Sequence, residues 1–291
     1  MINTSFIPDE FKSGLYYGNV LEDIYVPKRY STRIISHVIS NYIKEGEYYK
    51  PPLYLAIQGS PGVGKTTQAL ASCTQKGIMV KYLSASELSG ELEAASKDKM
   101  KEVYEQAVKL RQHGFVVCIL LDDFHLGNSN ISSANGRTVN AELLVSYMMN
   151  LVDTSYRTHI PIILTGNDYS GTYDALLRDG RADIFNWSPT IDEKIQIVTR
   201  LFTPILKRTE LKEIEGFVKA YPNYSVAFFA QLRNDLRRTY IEKIIEDYPI
   251  INGPTILNIE AILKRNLRQT DIASLRNFAD TRIGERKEGG L

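Results

Sequence analysis

Short apolar runs alternate with longer amphipathic stretches over the first two thirds of the chain. Four runs rich in Val, Ile and Leu predict strands: LYLAIQ (53–58), IMVKYL (78–83), FVVCILL (115–121) and IPIILT (160–165). Helical spacing of apolar residues lies between them, over residues 65–75, 96–112 and 138–152. Because near-continuous apolar strands are typical of parallel sheets covered on both faces, the pattern predicts an α/β fold with flanking helices.

The pattern changes after residue 188. Thr190 and Glu193 have the spacing of a capping box, and helical segments follow over 190–203, 209–220, 225–246 and 254–268. We therefore expect four regions: an N-terminal arm packing on the core (1–52), the α/β domain (53–188), a small all-helical lid domain (189–279) and a polar, disordered tail (280–291).

Composition adds mainly exclusions. The chain has 291 residues, 43% of them apolar and 24% charged, which is the mixture of a globular protein. Lys plus Arg (35) nearly balance Asp plus Glu (34), so the overall charge indicates neither broad nucleic-acid binding nor an anionic membrane surface. Only two cysteines, and no signal-like or membrane-length apolar run, favour a reducing cytoplasm and no membrane partner.

One motif carries specific chemistry. GSPGVGKT, residues 59–66, matches G-x-x-x-x-G-K-S/T between a predicted strand and a predicted helix, the context of a phosphate-binding loop. Lys65 is expected to reach the outer phosphates and the Thr66 hydroxyl to ligate Mg²⁺. A glycine-rich turn without a ligand is the alternative. The candidate nucleotide-binding residues of this segment are Gly59, Ser60, Pro61, Gly62, Val63, Gly64, Lys65, Thr66 and Thr67.

Polar residues at the ends of two later strands complete a candidate site. We expect a carboxylate from a neighbouring strand near the Mg²⁺, and assign Asp122 to the metal and Asp123 to polarising the attacking water. Asn167, after the strand IPIILT, is placed to hydrogen-bond the γ-phosphate or that water. The alternatives are a solvated strand end for the two acids and an ordinary turn for the asparagine.

Taken together, the chain resembles the AAA+ ATPases, and within them the Rubisco activase family. The similar segments run from about residue 24 to residue 245. They are SASELSGELEAASKDKMKEVYEQA (84–107), LLDDFHLG (120–127), TVNAELLVSYMMNLVD (138–153), LTGNDYSGTYDALLRDGRADIFNWSPT (164–190) and FFAQLRNDLRRTYIEKI (228–244).

The resemblance implies a P-loop domain with a helical lid, assembled as a homo-oligomeric ring, commonly a hexamer, with ATP and Mg²⁺ between subunits. Arg178 and Arg181 would then reach the ATP of a neighbouring subunit, and an arginine supplied in trans stabilises the charge on the transferred phosphoryl group. Arg233 matches the lid arginine that senses nucleotide in its own subunit. Surface salt bridges and a solvated basic helix face are the alternatives for these arginines.

The expected function is an ATPase that remodels or disassembles a protein partner of unknown identity. Residues 88–96 and 127–137 correspond to two loops that, in the family, line the pore of the ring. The additional N-terminal domain with which plant-type members recognise Rubisco corresponds here only to a short arm. One alternative is a nucleotide-switched assembly that recruits a partner on nucleic acid, for which Arg233, Arg237 and Arg238 offer a basic stripe. Another is a monomeric, kinase-like P-loop protein.

Overall fold

The protein is represented by a computed structural model that describes residues 7–43, 50–88, 95–124, 139–154, 159–169, 175–268 and 270–288. Its contacts divide the chain into two compact units. The α/β unit comprises Met1–Glu22 and Val26–Ser188, and the helical unit comprises Asp23–Tyr25 and Pro189–Leu291. None of the described helices is both long and apolar enough to cross a membrane.

A sheet forms the centre of the α/β unit. Its strands are β1 (Leu15–Tyr16), β2 (Tyr54–Gln58), β3 (Met79–Ser84), β4 (Val117–Asp122), β5 (Ile162–Gly166) and β6 (Ala182–Asn186), in the spatial order β1-β3-β4-β5-β2-β6. Strands β2 to β6 are parallel, and β1 pairs antiparallel with β3. The apolar runs did not predict the two edge strands, because β1 is only two residues long and β6 is mostly exposed or partly buried.

Helices cover both faces of this sheet. They are α1 (Asp9–Lys12), α2 (Lys28–Ser40), α3 (Lys65–Thr74), α4 (Ala95–Gln112) and α5 (Val139–Thr154), with a 3₁₀ turn at Ala85–Leu88. The apolar faces of α2 and α3 pack on one side of the sheet and those of α4 and α5 on the other. The predicted α/β architecture is confirmed, and it places the strand ends at one edge, where ligands bind in such folds.

The helical unit contains α6 (Ile191–Phe202), α7 (Ile214–Ala220), α8 (Val226–Ile245), α9 (Gly253–Leu267) and α10 (Ile272–Glu288), with a 3₁₀ turn at Glu210–Glu213. The capping box predicted at the start of α6 is present: the Glu193 N–H donates to Thr190 Oγ1 and the Thr190 N–H to the Glu193 carboxylate. Phenylalanines of α6, α7 and α8 pack edge to face in the core of this unit.

The C-terminal segment differs from the expectation of disorder after residue 280, since α10 continues to Glu288. Three contacts account for the ordered helix. Ala279 is buried in the helical core, Asp280 accepts a hydrogen bond from the Tyr221 hydroxyl at 2.7 Å, and Arg282 Nη1 lies 2.7 Å from the carboxylate of Asp235. A polar segment gains order where its charged groups find partly buried partners.

Candidate nucleotide-binding site

The loop between β2 and α3 has the backbone of a phosphate cradle. Gly62 and Gly64 have φ angles of +75° and +87°, which favour glycine. No side chain caps the N-terminus of α3, so the positive end of the helix faces this loop with its N–H groups available to an anion. The glycines of the loop permit this backbone conformation and the uncapped start of α3. Together they leave N–H groups that can bind a phosphate.

Lys65 is buried and makes three hydrogen bonds. Its Nζ donates to the carbonyl oxygens of Gly59 at 2.7 Å and Ser60 at 3.1 Å, and to Asn167 Oδ1 at 3.0 Å. Burial lowers the pKa of Lys65, while the negative charges of Asp123 and Asp122 oppose that shift. The ammonium is therefore held at the mouth of the loop with Asn167, the residue predicted after β5, directly beside it.

Asp122 accepts hydrogen bonds from three hydroxyl groups. Thr66 and Thr165 both donate to its Oδ1 at 2.5 Å, and Tyr82 donates to its Oδ2 at 2.8 Å. Burial and this last hydrogen bond raise the pKa of Tyr82, which keeps its hydroxyl protonated and able to donate. The P-loop threonine and the predicted metal-linked carboxylate are thus in direct contact.

The sequence predicts that the strand carrying Asp122 is the immediate neighbour of the P-loop strand, but it is not. Strand β5 lies between β4 and β2. Thr165 near the end of β5 bridges the gap, because its hydroxyl lies 3.5 Å from Thr66 Oγ1 and donates to Asp122. A hydroxyl at the end of the apolar run IPIILT was the available signal for this residue; Tyr82 gave no comparable signal.

Asp123 points toward solvent and has an unusual backbone. Its φ of +52° makes it the one non-glycine residue with a positive φ in the described part of the chain. Its N–H donates to Thr165 Oγ1 at 3.3 Å, so the conformation is tied to the same network as Asp122. Left-handed backbone costs free energy at a non-glycine residue and is found preferentially at functional sites. The geometry leaves the Asp123 carboxylate exposed at the edge where the phosphates are expected.

Two aromatic residues support the loop from behind. The Tyr30 hydroxyl donates to the Lys65 carbonyl at 2.6 Å, and Trp187 Nε1 donates to the Val63 carbonyl at 3.2 Å. Their rings meet edge to face with centroids 4.5 Å apart. Gly59 admits no side chain here, because a Cβ would lie 2.1 Å from the Trp187 carbonyl oxygen. Sequence reasoning did not assign Tyr30 and Trp187 to the site, although the single tryptophan of the chain was a signal.

Arg178 and Arg181 lie where the strands begin, and the P-loop lies where they end. Strand β6 starts directly after Arg181 and runs parallel to β2, whose last residue leads into the P-loop. A strand of this length spans about 15 Å, more than an arginine side chain bridges. Arg181 Nη1 donates to the Ala175 carbonyl at 2.7 Å, whereas the side chain of Arg178 is exposed and makes no hydrogen bond or ion pair with the described residues. The α/β unit thus does not bring either arginine to its own P-loop.

Arg233 belongs to the helical unit. It lies on α8, and its Nη1 donates to the Leu201 carbonyl at 3.1 Å. Burial and the nearby Arg237 lower its pKa. Its predicted part in nucleotide sensing stays a prediction. The predicted pore loops fall largely outside the described residues, which exclude 89–94 and 125–138.

The oxygen donors around Thr66 fit a magnesium ion. A threonine hydroxyl that donates a hydrogen bond to Asp122 keeps its oxygen lone pairs available to a cation. Mg²⁺ prefers oxygen ligands such as hydroxyl and carboxylate groups. Within the residues that the structure describes, no cluster of three or more His, Cys, Asp or Glu side chains forms a separate metal site. Any Mg²⁺ bound here would therefore depend on further oxygens, such as those of a nucleotide or water.

Comparison with known proteins agrees with this geometry. Residues 55–190 match the ATPase family associated with various cellular activities (AAA). The chain is 28% identical over 232 residues to the chloroplastic ribulose bisphosphate carboxylase/oxygenase activase of Cucumis sativus, covering 75% of this chain and 55% of that protein. It is 30% identical over 233 residues to the activase of Anabaena sp. (strain CA / ATCC 33047), covering 76% and 55%. The chain thus spans about half the length of these relatives.

Proposed function

Residues 55–190 are an AAA ATPase domain in a chain similar to Rubisco activase, and from this premise we propose that the protein hydrolyses ATP as a subunit of a ring and uses the energy to remodel a protein partner. One observation carries the proposal. At the carboxyl ends of the strands, one hydrogen bond joins Lys65 to Asn167, and a second group of hydrogen bonds joins Thr66 to Asp122 directly and through Thr165.

The hydrogen-bonded residues and the adjacent Asp123 have separate roles in phosphoryl transfer. Lys65 exchanges its bonds to loop carbonyls for phosphate oxygens and holds the outer phosphates of ATP. Thr66 and Asp122 would hold Mg²⁺, Asp122 through a water molecule, and the ion would neutralise negative charge on the phosphate oxygens. Asp123 accepts a hydrogen bond from the attacking water and orients it toward the γ-phosphorus. Asn167, whose Oδ1 accepts from Lys65, directs its amide N–H groups to the γ-phosphate.

The site is completed by a second subunit in this proposal. Arg178 and Arg181 lie too far from their own P-loop to contact its nucleotide, but a head-to-tail ring brings them to the neighbour's. The part of Arg233 in sensing nucleotide stays a prediction from the resemblance. The resemblance makes a hexamer the expected ring, and a protein assembly is the substrate class. Cys73 and Cys118 are free thiols with sulfurs 3.7 Å apart, which suits a reducing compartment such as the cytoplasm.

Replacement of Lys65 tests the site assignment. Lys65→Ala removes the charge that holds the outer phosphates, so ATP turnover should fall by roughly 10²-fold or more. Phosphate release is measured at saturating Mg²⁺, with Lys76→Ala as the control, since Lys76 is exposed near the far end of α3. Unchanged turnover in Lys65→Ala would refute the assignment, and equal losses in both variants would indicate general damage to the unit.

A further inference from the structure

Tyr82 approaches the site from a strand that carries none of the family motifs. It lies on β3, and β3 pairs with β4 so that Tyr82 is opposite Leu120, two residues before Asp122. Residues two apart on a strand share a face, so Tyr82 is the diagonal neighbour of Asp122. Its hydroxyl donates to Asp122 Oδ2 at 2.8 Å. The register of β3 and β4 therefore delivers this hydroxyl to the carboxylate.

The hydrogen bond of Tyr82 has a different effect from those of the threonines. Thr66 and Thr165 both donate to Oδ1, whereas Tyr82 donates to Oδ2. With both oxygens bonded, rotation of the carboxylate about its Cβ–Cγ bond breaks hydrogen bonds at both oxygens. Groups that orient a ligating carboxylate in this way contribute to metal affinity without touching the metal.

Residues 7–17, a part of the N-terminal arm, hold Tyr82 from the other side. The Tyr82 N–H donates to the Gly14 carbonyl at 2.7 Å, and the Tyr16 ring meets the Tyr82 ring edge to face at 5.6 Å. Gly14 has a φ of +63°, and a Cβ on it would lie 2.7 Å from the Tyr82 carbonyl oxygen. The arm thus contacts both the backbone and the ring of Tyr82, and only glycine permits so close an approach.

Lys81 fastens the arm to the same strand. It is buried, and its Nζ donates to the carbonyl oxygens of Phe11 at 3.0 Å and Ser13 at 2.7 Å. Two successive residues of β3 therefore contact the arm. Lys81 donates hydrogen bonds to it, and Tyr82 bonds both to the arm and to Asp122. Displacement of the arm removes contacts that fix Tyr82.

We propose that Tyr82 is a positioning residue for the metal-linked carboxylate Asp122, and that docking of the N-terminal arm on β3 sets its position. The inference rests on the proposed function, in which Asp122 serves the Mg²⁺ of the nucleotide. By thermodynamic linkage, an arm that strengthens metal binding when docked is itself held more tightly when metal and nucleotide are bound. A partner that draws the arm away from β3 would weaken Mg²⁺ binding.

Tyr82→Phe tests the first half of the proposal. The change removes only the hydroxyl, so Mn²⁺ binding to the ADP complex, followed by electron paramagnetic resonance, should weaken about tenfold. ADP affinity in EDTA should stay at the wild-type value, because the phosphate cradle is intact. Tyr42→Phe is the matched control: its hydroxyl bonds to both backbone groups of Val117, at the other end of β4 from Asp122. It should leave Mn²⁺ binding unchanged.

Gly14→Ala tests the second half. The methyl group cannot fit against the Tyr82 carbonyl, so the arm should detach, shown by faster amide exchange over residues 9–16, and Mn²⁺ binding should weaken as in Tyr82→Phe. Gly18→Ala is the control, since Gly18 has a similar φ of +70° but open space around its Cβ position. Its backbone strain is comparable, and Mn²⁺ binding should match wild type.

The outcomes separate this inference from the proposed function. A wild-type protein that binds no ADP with Mn²⁺ overturns both. Wild-type binding together with an unaltered Tyr82→Phe overturns the role of Tyr82 alone. Arm release in Gly14→Ala with unaltered Mn²⁺ binding overturns the role of the arm, and weakened Mn²⁺ binding in Tyr42→Phe as well overturns the specificity claimed for Tyr82.

Discussion

Individual side chains near the sheet are buried for different physical reasons. Lys65 is buried and charged, and its ammonium has three hydrogen-bond acceptors. His37 on α2 is buried, and its Nε2 has no hydrogen-bond partner among the described residues. Burial, with the nearby Arg33, lowers the pKa of His37 to about 4 from an ordinary value of 6.5. The folded protein therefore keeps this imidazole neutral where an unfolded chain would protonate it.

Acid should accordingly weaken the fold through His37. Between pH 6.5 and 4 the unfolded chain binds the proton and the folded chain does not, so stability falls as pH falls through this window. From pH 7 to 5.5 we expect His37 to account for a loss of about 1 kcal/mol in the free energy of unfolding. Urea unfolding of His37→Gln should show a shallower pH dependence by that amount. His113→Gln, at an exposed position, should keep the wild-type slope; equal slopes in all three proteins would contradict the assignment.

At the scale of elements, helix α10 shows how a polar segment is held in place. Asp235 on α8 is buried and accepts from Arg282 of α10 at 2.7 Å, and from Gln231 and Arg238 of its own helix at 3.0 and 3.2 Å. The contact between Arg282 and Asp235 joins two helices through residues that are 47 positions apart along the chain. Such a bond is visible only when both helices are placed.

Removal of the Arg282 guanidinium should loosen α10. Arg282→Ala leaves one oxygen of a buried carboxylate without its donor, which costs roughly 1–3 kcal/mol. Amide exchange across residues 272–284 should accelerate correspondingly. Lys264→Ala is the control, because the Lys264–Glu260 pair on α9 is exposed and such pairs contribute little to stability. If both variants exchange at the wild-type rate, the Asp235 contact is not what orders the helix.

For the whole molecule, the position of the two arginines links oligomerisation to catalysis in the proposed ring. The P-loop and Arg181 lie at opposite ends of the paired strands β2 and β6. A single α/β unit therefore contains a phosphate cradle and two arginines that do not meet. In the proposed ring, every active site takes its P-loop from one chain and its arginines from the next.

Mixing two inactive variants tests this arrangement. Arg178→Ala retains the P-loop and Lys65→Ala retains the arginines, so random mixing should restore about a quarter of the interfaces. Phosphate release should recover in proportion. A mixture of Lys65→Ala with Asp122→Ala is the control, since both changes damage the same side of the interface and no complete site can form. An absence of recovery, once subunit exchange has been shown by mass spectrometry, would rule out arginines acting in trans.

The chain's local patterns determined its elements and its phosphate loop. Four apolar runs predicted β2, β3, β4 and β5 to within two residues at each end, because burial on both faces of a sheet leaves an uninterrupted apolar signature. The glycines of the P-loop and the capping box before α6 were equally legible, since both depend on backbone conformations a few residues long.

Tertiary structure alone decided how these elements meet. Strand order placed β5 between the P-loop strand and the strand of Asp122, and so made Thr165 a link in the site. The register of β3 brought Tyr82 to Asp122, and antiparallel pairing of β1 brought the arm to Tyr82. Order and register depend on pairing between segments tens of residues apart, and are selected by the burial of whole faces. Local periodicity does not encode such long-range choices.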